Sequence, residues 1–127
     1  MHTTLPYLLV VDDDPDIREA VRDVLVDEGY SVRLASNGRE ALNTLTESER
    51  PPCLVLLDLM MPIVSGEQVL EMLKRDGVLA RIPVVVLSAS RTPTRGNAGL
   101  LGKPVDLEAL LSMVARYCDK GTGQVHA

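Results

Sequence analysis

Three short stretches, YLLVV (residues 7–11), CLVLL (53–57) and PVVVL (83–87), are nearly unbroken runs of Val and Leu, and they constrain the fold more than any other feature of the chain. A strand that alternates apolar and polar side chains can leave one face in water, whereas a strand that is apolar throughout must be covered on both. None of these runs approaches the roughly 18 apolar residues of a membrane span. They are therefore expected to be interior strands of a parallel sheet with helices on both faces. YSVRLAS (30–36) instead sets Val32 and Leu34 on one side and Arg33 on the other, as in an edge strand. A short fifth strand is expected just before Lys103, in GLLGKPVD (99–106).

Helical spacing fills the gaps. Ile17, Ala20, Val21, Val24 and Leu25 form one stripe, with Asp14 as N-cap before Pro15 and Gly29 as the stop. A second helix near Gly38–Glu47 turns Ala41, Leu42 and Leu45 inward, and a third, about Gly66–Arg75, uses Val69, Met72 and Leu73. Asp106 is expected to cap a last helix whose stripe is Leu107, Leu110, Leu111, Val114 and Cys118. Strand and helix alternate throughout, the pattern of an α/β doubly wound sheet. The length of 127 residues suits one domain, with a core over about 7–118, loose first residues and a flexible tail at 119–127.

Composition excludes several functions. A net charge of -5 with no run of Lys or Arg argues against nucleic acid binding. The start has neither a basic segment nor a long apolar region, so neither secretion nor membrane insertion is expected. His2 and His126 lie in the loose ends and are given no role. Cys53 and Cys118 sit in apolar contexts without a CxxC spacing, and they read as reduced core thiols of a cytoplasmic protein.

The acids need another explanation. In a doubly wound sheet, ligands bind at the carboxyl ends of the strands, commonly between the first and third. Asp12 and Asp13 end the first strand and Asp58 ends the third, so 45 positions of chain separate carboxylates that the topology brings together. Three carboxylates in one cleft repel unless they hold a proton or a multivalent cation. Oxygen ligands without Cys or His favour Mg²⁺, and such a cleft can take a phosphoryl group on a spare carboxylate. Ser88 in VVLSAS, at the end of the fourth strand, and Lys103, ending the fifth, supply a hydroxyl and a cation at the same sheet edge. Taken singly, Lys103 is an ordinary surface lysine, Ser88 a strand-end hydroxyl and Gly66 a helix start; the coincidence of five positions is what those readings leave unexplained.

VVDDDPDIRE, LVLLDLMMPIVSGEQVL, VVLSAS and GKPVD, in that order over residues 7–118, closely resemble the receiver domain of bacterial two-component response regulators. The resemblance implies a flavodoxin-like five-stranded parallel sheet of order 2-1-3-4-5. It makes Asp58 the phosphoacceptor and places Mg²⁺ on Asp12, Asp13, Asp58 and the backbone carbonyl of Met60. Ser88 becomes the hydroxyl switch residue, Lys103 the family's lysine, and Lys103–Pro104 a cis peptide bond. The implied donor is a sensor histidine kinase or histidine phosphotransfer protein. The implied protein is a cytoplasmic signalling switch, monomeric or weakly dimeric, that catalyses only its own phosphorylation and dephosphorylation and passes its output to a separate, unidentified protein.

Departures from the family pattern are also present. Leu100 stands where receivers usually carry an aromatic residue, and Val105 follows Lys-Pro where Phe is common. The segment 89–99, with Pro93 and Gly96, is too short and too polar for a full fourth helix, which is expected to be absent or reduced to a turn. Met60 and Ser90 do not look like positioners of attacking water, so slow dephosphorylation is expected. Two other readings stand beside the switch: a phosphorylation-independent binding module of the same fold, and an aspartyl-phosphate hydrolase in which Asp12 and Asp14 form a DxD pair.

Overall fold

The computed structural model describes residues 6–59, 61, 65–77, 79–88 and 99–118. The three apolar runs form β1 (Tyr7–Val11), β3 (Leu54–Asp58) and β4 (Val84–Ser88), and all their residues are buried. With β2 (Ser31–Ala35) and β5 (Gly99–Gly102) at the edges, they make a parallel five-stranded sheet of order β2-β1-β3-β4-β5. Four helices are present among the described residues, α1 (Pro15–Asp27), α2 (Gly38–Glu47), α3 (Gly66–Arg75) and α4 (Leu107–Tyr117), with one 3-10 turn at Leu79–Arg81. The flavodoxin-like order 2-1-3-4-5 read from the sequence is the order observed. The expected reduction of the fourth helix and the expected tail fall on 89–98 and 119–127, outside the described residues.

Alternation along the strands sorts the side chains into two cores. Leu9, Val11, Val55, Leu57 and Val86 pack against α2 and α3 through Ala41, Leu45, Val69 and Leu73. Leu8, Val10, Leu54, Leu56, Val85 and Leu87 face α1 and α4 through Val21, Leu25, Leu110 and Val114. Both faces of the interior strands are thus dry, which is why these strands tolerate no polar residue before their carboxyl ends.

Local chemistry fixes the helix ends. The Asp14 carboxylate accepts from the Asp16 and Ile17 N–H groups, with Pro15 in the first turn. Gly29 takes φ of 101°; its N–H donates to the Val26 carbonyl, and the Tyr30 N–H reaches back to Leu25, closing α1 in a Schellman motif. Ser65 and Gln68 cap α3 reciprocally. Three residues read as inward-facing point out instead: Ala20, Met72 and Leu107. In α3 the buried neighbour of Val69 and Leu73 is Leu70, since a stripe broad enough for both spacings admits either side.

The cysteines require a correction. Cys53 and Cys118 are not separate thiols but a disulfide, with Cα atoms 5.4 Å apart across 65 positions of sequence. Cys53 immediately precedes β3 and Cys118 caps α4. Because β3 begins where α4 ends, on the face they share, the topology superposes two residues whose spacing carries no sign of it.

Candidate functional site

Strand register builds the site. Val11 is level with Leu57 across β1 and β3, Asp58 with Leu87 across β3 and β4, and Ser88 with Gly102 across β4 and β5. Asp12 follows Val11 and Lys103 follows Gly102, so four polar residues leave the sheet along one edge. That edge lies where β1 has β2 on one side and β3 on the other, the point at which the winding reverses and the loops diverge to leave a cleft.

Asp12, Asp13 and Asp58 each present a carboxylate oxygen, and these three atoms lie within 4.8 Å of one another. Asp12 is fully buried and Asp58 nearly so, whereas Asp13 is exposed. Lys103 Nζ stands 3.0 Å from Asp12 Oδ2 and 3.5 Å from Asp58 Oδ2. Burial alone would lower the Lys103 pKa, but the hydrogen bond and charge of Asp12, joined by Asp58, outweigh it and hold the ammonium above the ordinary lysine range. The Lys103 N–H donates to the Ser88 carbonyl at 3.0 Å, and the Lys103–Pro104 peptide is cis. Ser88 is buried at the same edge.

Asp12 is held from several sides. Its N–H donates to Ala35, its Oδ1 accepts from the Asp14 N–H at 3.0 Å, and its carbonyl accepts from Arg18 Nη1 at 2.8 Å. Arg18 is the residue that reading the sequence overlooked. It looks like a solvated helix residue, and only its place one turn into α1, six positions after Asp12, hints that it can fold back. Gly66 also does more than begin a helix: a Cβ there would stand 2.5 Å from the Asp58 carbonyl oxygen, so only glycine lets α3 approach the strand end so closely. Asp14 is occupied at the α1 N-terminus and is not among the clustered acids, which removes one half of the DxD frame. The expected Met60 carbonyl ligand lies outside the described residues.

Among the described residues, three clustered carboxylates are met by the Lys103 ammonium, which touches Asp12 and Asp58, and by the Arg18 guanidinium on the Asp12 carbonyl, so negative charge remains in excess, two of the acids being buried. The donors are all oxygen and one side is open through Asp13, a set that fits a hard divalent cation retaining several waters. Asp58 thus stands beside the Lys103 ammonium, with Ser88 at the end of the neighbouring strand.

The family profile of the response regulator receiver domain matches residues 8–115. The chain is 44% identical over 112 residues to the response regulator MprA of Mycolicibacterium vanbaalenii, covering 83% of this chain and 47% of that protein. It is 37% identical over 114 residues to the probable transcriptional regulator ycf29 of Pyropia yezoensis, covering 84% of this chain and 50% of that one. It thus spans about half the length of these relatives. Among solved structures, the chemotaxis protein CheY4 of Vibrio cholerae superposes with a TM-score of 0.80 at 28% identity, covering 90% of this chain and 99% of that one. No described helix is long and apolar enough to cross a membrane. Fold, strand-end acids and sequence agree, and the chain belongs to the response regulator receiver domain family of two-component signalling.

Proposed function

We propose that this receiver is a phosphorylation-dependent switch whose phosphoacceptor is Asp58. The observation that carries the reading is the position of the Asp58 carboxylate, 3.5 Å from Lys103 Nζ and clustered with Asp12 and Asp13. An Asp58 oxygen attacks the phosphorus of a phosphohistidine presented by a sensor kinase or histidine phosphotransfer protein, and the phosphorus–nitrogen bond breaks as the aspartyl phosphate forms. Asp12, Asp13 and Asp58 would hold Mg²⁺, which supplies charge neutralisation for the transferring group. Lys103 exchanges part of its contact with Asp58 for a phosphoryl oxygen, and the Ser88 hydroxyl donates to another. Hydrolysis by water then breaks the phosphorus–oxygen bond and restores the carboxylate. The receiver works in the cytoplasm and its output passes by protein–protein contact.

Intact mass spectrometry after incubation with acetyl phosphate tests this directly. A single phosphoryl adduct is expected on the parent protein with Mg²⁺, and none on Asp58→Ala or without metal. Absence of the adduct in a sample that binds Mg²⁺ would instead favour a module that binds partners unmodified.

A further inference from the structure

The Cys53–Cys118 pair lies at the end of the sheet opposite the acids and is unused by the chemistry above. Cys53 is partly exposed, whereas Cys118 is buried in the core between the sheet, α1 and α4. The bridge joins the start of β3, whose far end is Asp58, to the end of α4, which begins a few residues beyond Lys103. It therefore ties together, at their distal ends, the two elements adjoining the central ion pair.

Two features of the surroundings do not depend on the bridge. Cys53 Sγ lies 3.3 Å from the Tyr7 carbonyl oxygen, so the reduced thiol has an acceptor in place. The Cys53 and Cys118 N–H groups donate to the Tyr7 and Val114 carbonyls, bonds in which the sulfurs take no part. By contrast, α4 itself has only Leu110 and Val114 fully buried, with Leu107 and Tyr117 exposed. Loss of the bridge removes the disulfide that ties the C-terminal end of the helix to the start of β3.

We propose that Cys53 and Cys118 are a reversible redox pair that anchors α4 to β3 when oxidised and releases its C-terminal end when reduced. A low-molecular-weight disulfide of the glutathione class is the oxidant. The Cys53 thiolate attacks it, forming a mixed disulfide and expelling one small thiol; the Cys118 thiolate then displaces the second, so that two protein thiols and one small disulfide become one protein disulfide and two small thiols. A small thiol in excess, entering at the more exposed Cys53, reverses both steps. Neither state requires a phosphoryl group on Asp58.

The full chain, equilibrated in buffers of varied reduced-to-oxidised glutathione ratio, is quenched with an alkylating reagent and weighed intact, while hydrogen exchange of residues 107–117 is followed in parallel. Two alkyl groups are expected at the reducing end and none at the oxidising end, with full return on reversal. Amides of α4 are expected to exchange about tenfold or more slowly in the bridged form, with those of α2 unchanged. The double variant Cys53→Ser, Cys118→Ser is expected to match the reduced parent in both buffers. Thiols that stay alkylatable at every ratio, a bridge that the native protein does not exchange with excess thiol, or identical α4 exchange in the two forms would each overturn the proposal.

Discussion

Gly66→Ala tests whether the backbone of the acceptor residue is placed by close contact with α3. The added Cβ would stand 2.5 Å from both the Asp58 carbonyl oxygen and the Leu59 Cα, and 3.0 Å from Leu59 Cδ2. The methyl can rotate away, but the two backbone atoms cannot, and favourable contact needs roughly 3.5 Å, so the chain after β3 must retreat by about 1 Å. The Gly66 N–H also donates to the Leu59 carbonyl at 3.1 Å, so the retreat strains a hydrogen bond as well. Overpacking of this kind costs about 1–3 kcal/mol, which for a domain of this size lowers the melting temperature by roughly 4–12 °C. Because the displaced carbonyl belongs to Asp58, Mg²⁺ affinity measured by calorimetry is expected to fall by about tenfold or more, as a misplacement near 1 Å does at a preorganised site. Gly77→Ala is the control: no atom lies within 4 Å of its added Cβ, and its stability is expected to stay within about 0.5 kcal/mol of the parent. A Gly66→Ala protein that melts with the parent and binds Mg²⁺ as tightly would refute the steric argument.

Removing Lys103 with Lys103→Met leaves the buried Asp12 and Asp58 without their ammonium. Urea unfolding is expected to show a loss of about 2 kcal/mol without metal, largely recovered in millimolar Mg²⁺, because the cation then supplies the missing charge. Asp13→Asn works in the opposite direction, relieving repulsion at an exposed member of the cluster. A gain of up to about 1 kcal/mol without metal is expected, together with a Mg²⁺ affinity about tenfold weaker by calorimetry. The Glu40 carboxylate accepts from the Ser36 N–H and hydroxyl, both at 2.7 Å, and these bonds lower its pKa. A carboxylate so lowered contributes stability that is present above its unfolded pKa and lost as pH falls through its folded one. Acid unfolding of Glu40→Gln should therefore differ from the parent by at most about 1 kcal/mol above pH 5, since the group is exposed, and converge with it as pH falls through the lowered folded pKa.

The legible parts of this fold are those in which one residue's surroundings follow from its neighbours in sequence. A strand apolar at every position, such as Leu54 to Leu57, must be covered twice, so the runs fixed the interior of the sheet and the helices on both faces. Asp58, closing such a run, has no structural excuse, and that is what made it stand out. Helix faces were less legible: Met72 and Leu70 flank the same stripe, and choosing between them depends on how α3 rolls against the sheet. Gly66 could be read as a helix start but not as a close approach, because the atoms it would strike, in Asp58 and Leu59, are placed by tertiary packing.

Arg18 and the cysteines mark a sharper limit. Lys103 could be assigned because it ends a strand, and strand ends in a parallel sheet converge on one edge whatever the details of packing. Arg18 reaches the same site from a helix, where the direction of a long side chain is set by rotamer and not by topology, so its contact with the Asp12 carbonyl is a fact of three dimensions only. Cys53 and Cys118 combine both cases. Their meeting follows from topology, since a strand's start and the end of the helix packed beside it share one end of the sheet; that inference was open once α4 had been assigned to the face of β3 that covers Leu54 and Leu56. What hid it was the choice of face, which alternation along β3 cannot supply, because a strand buried on both sides does not say which helix covers which side.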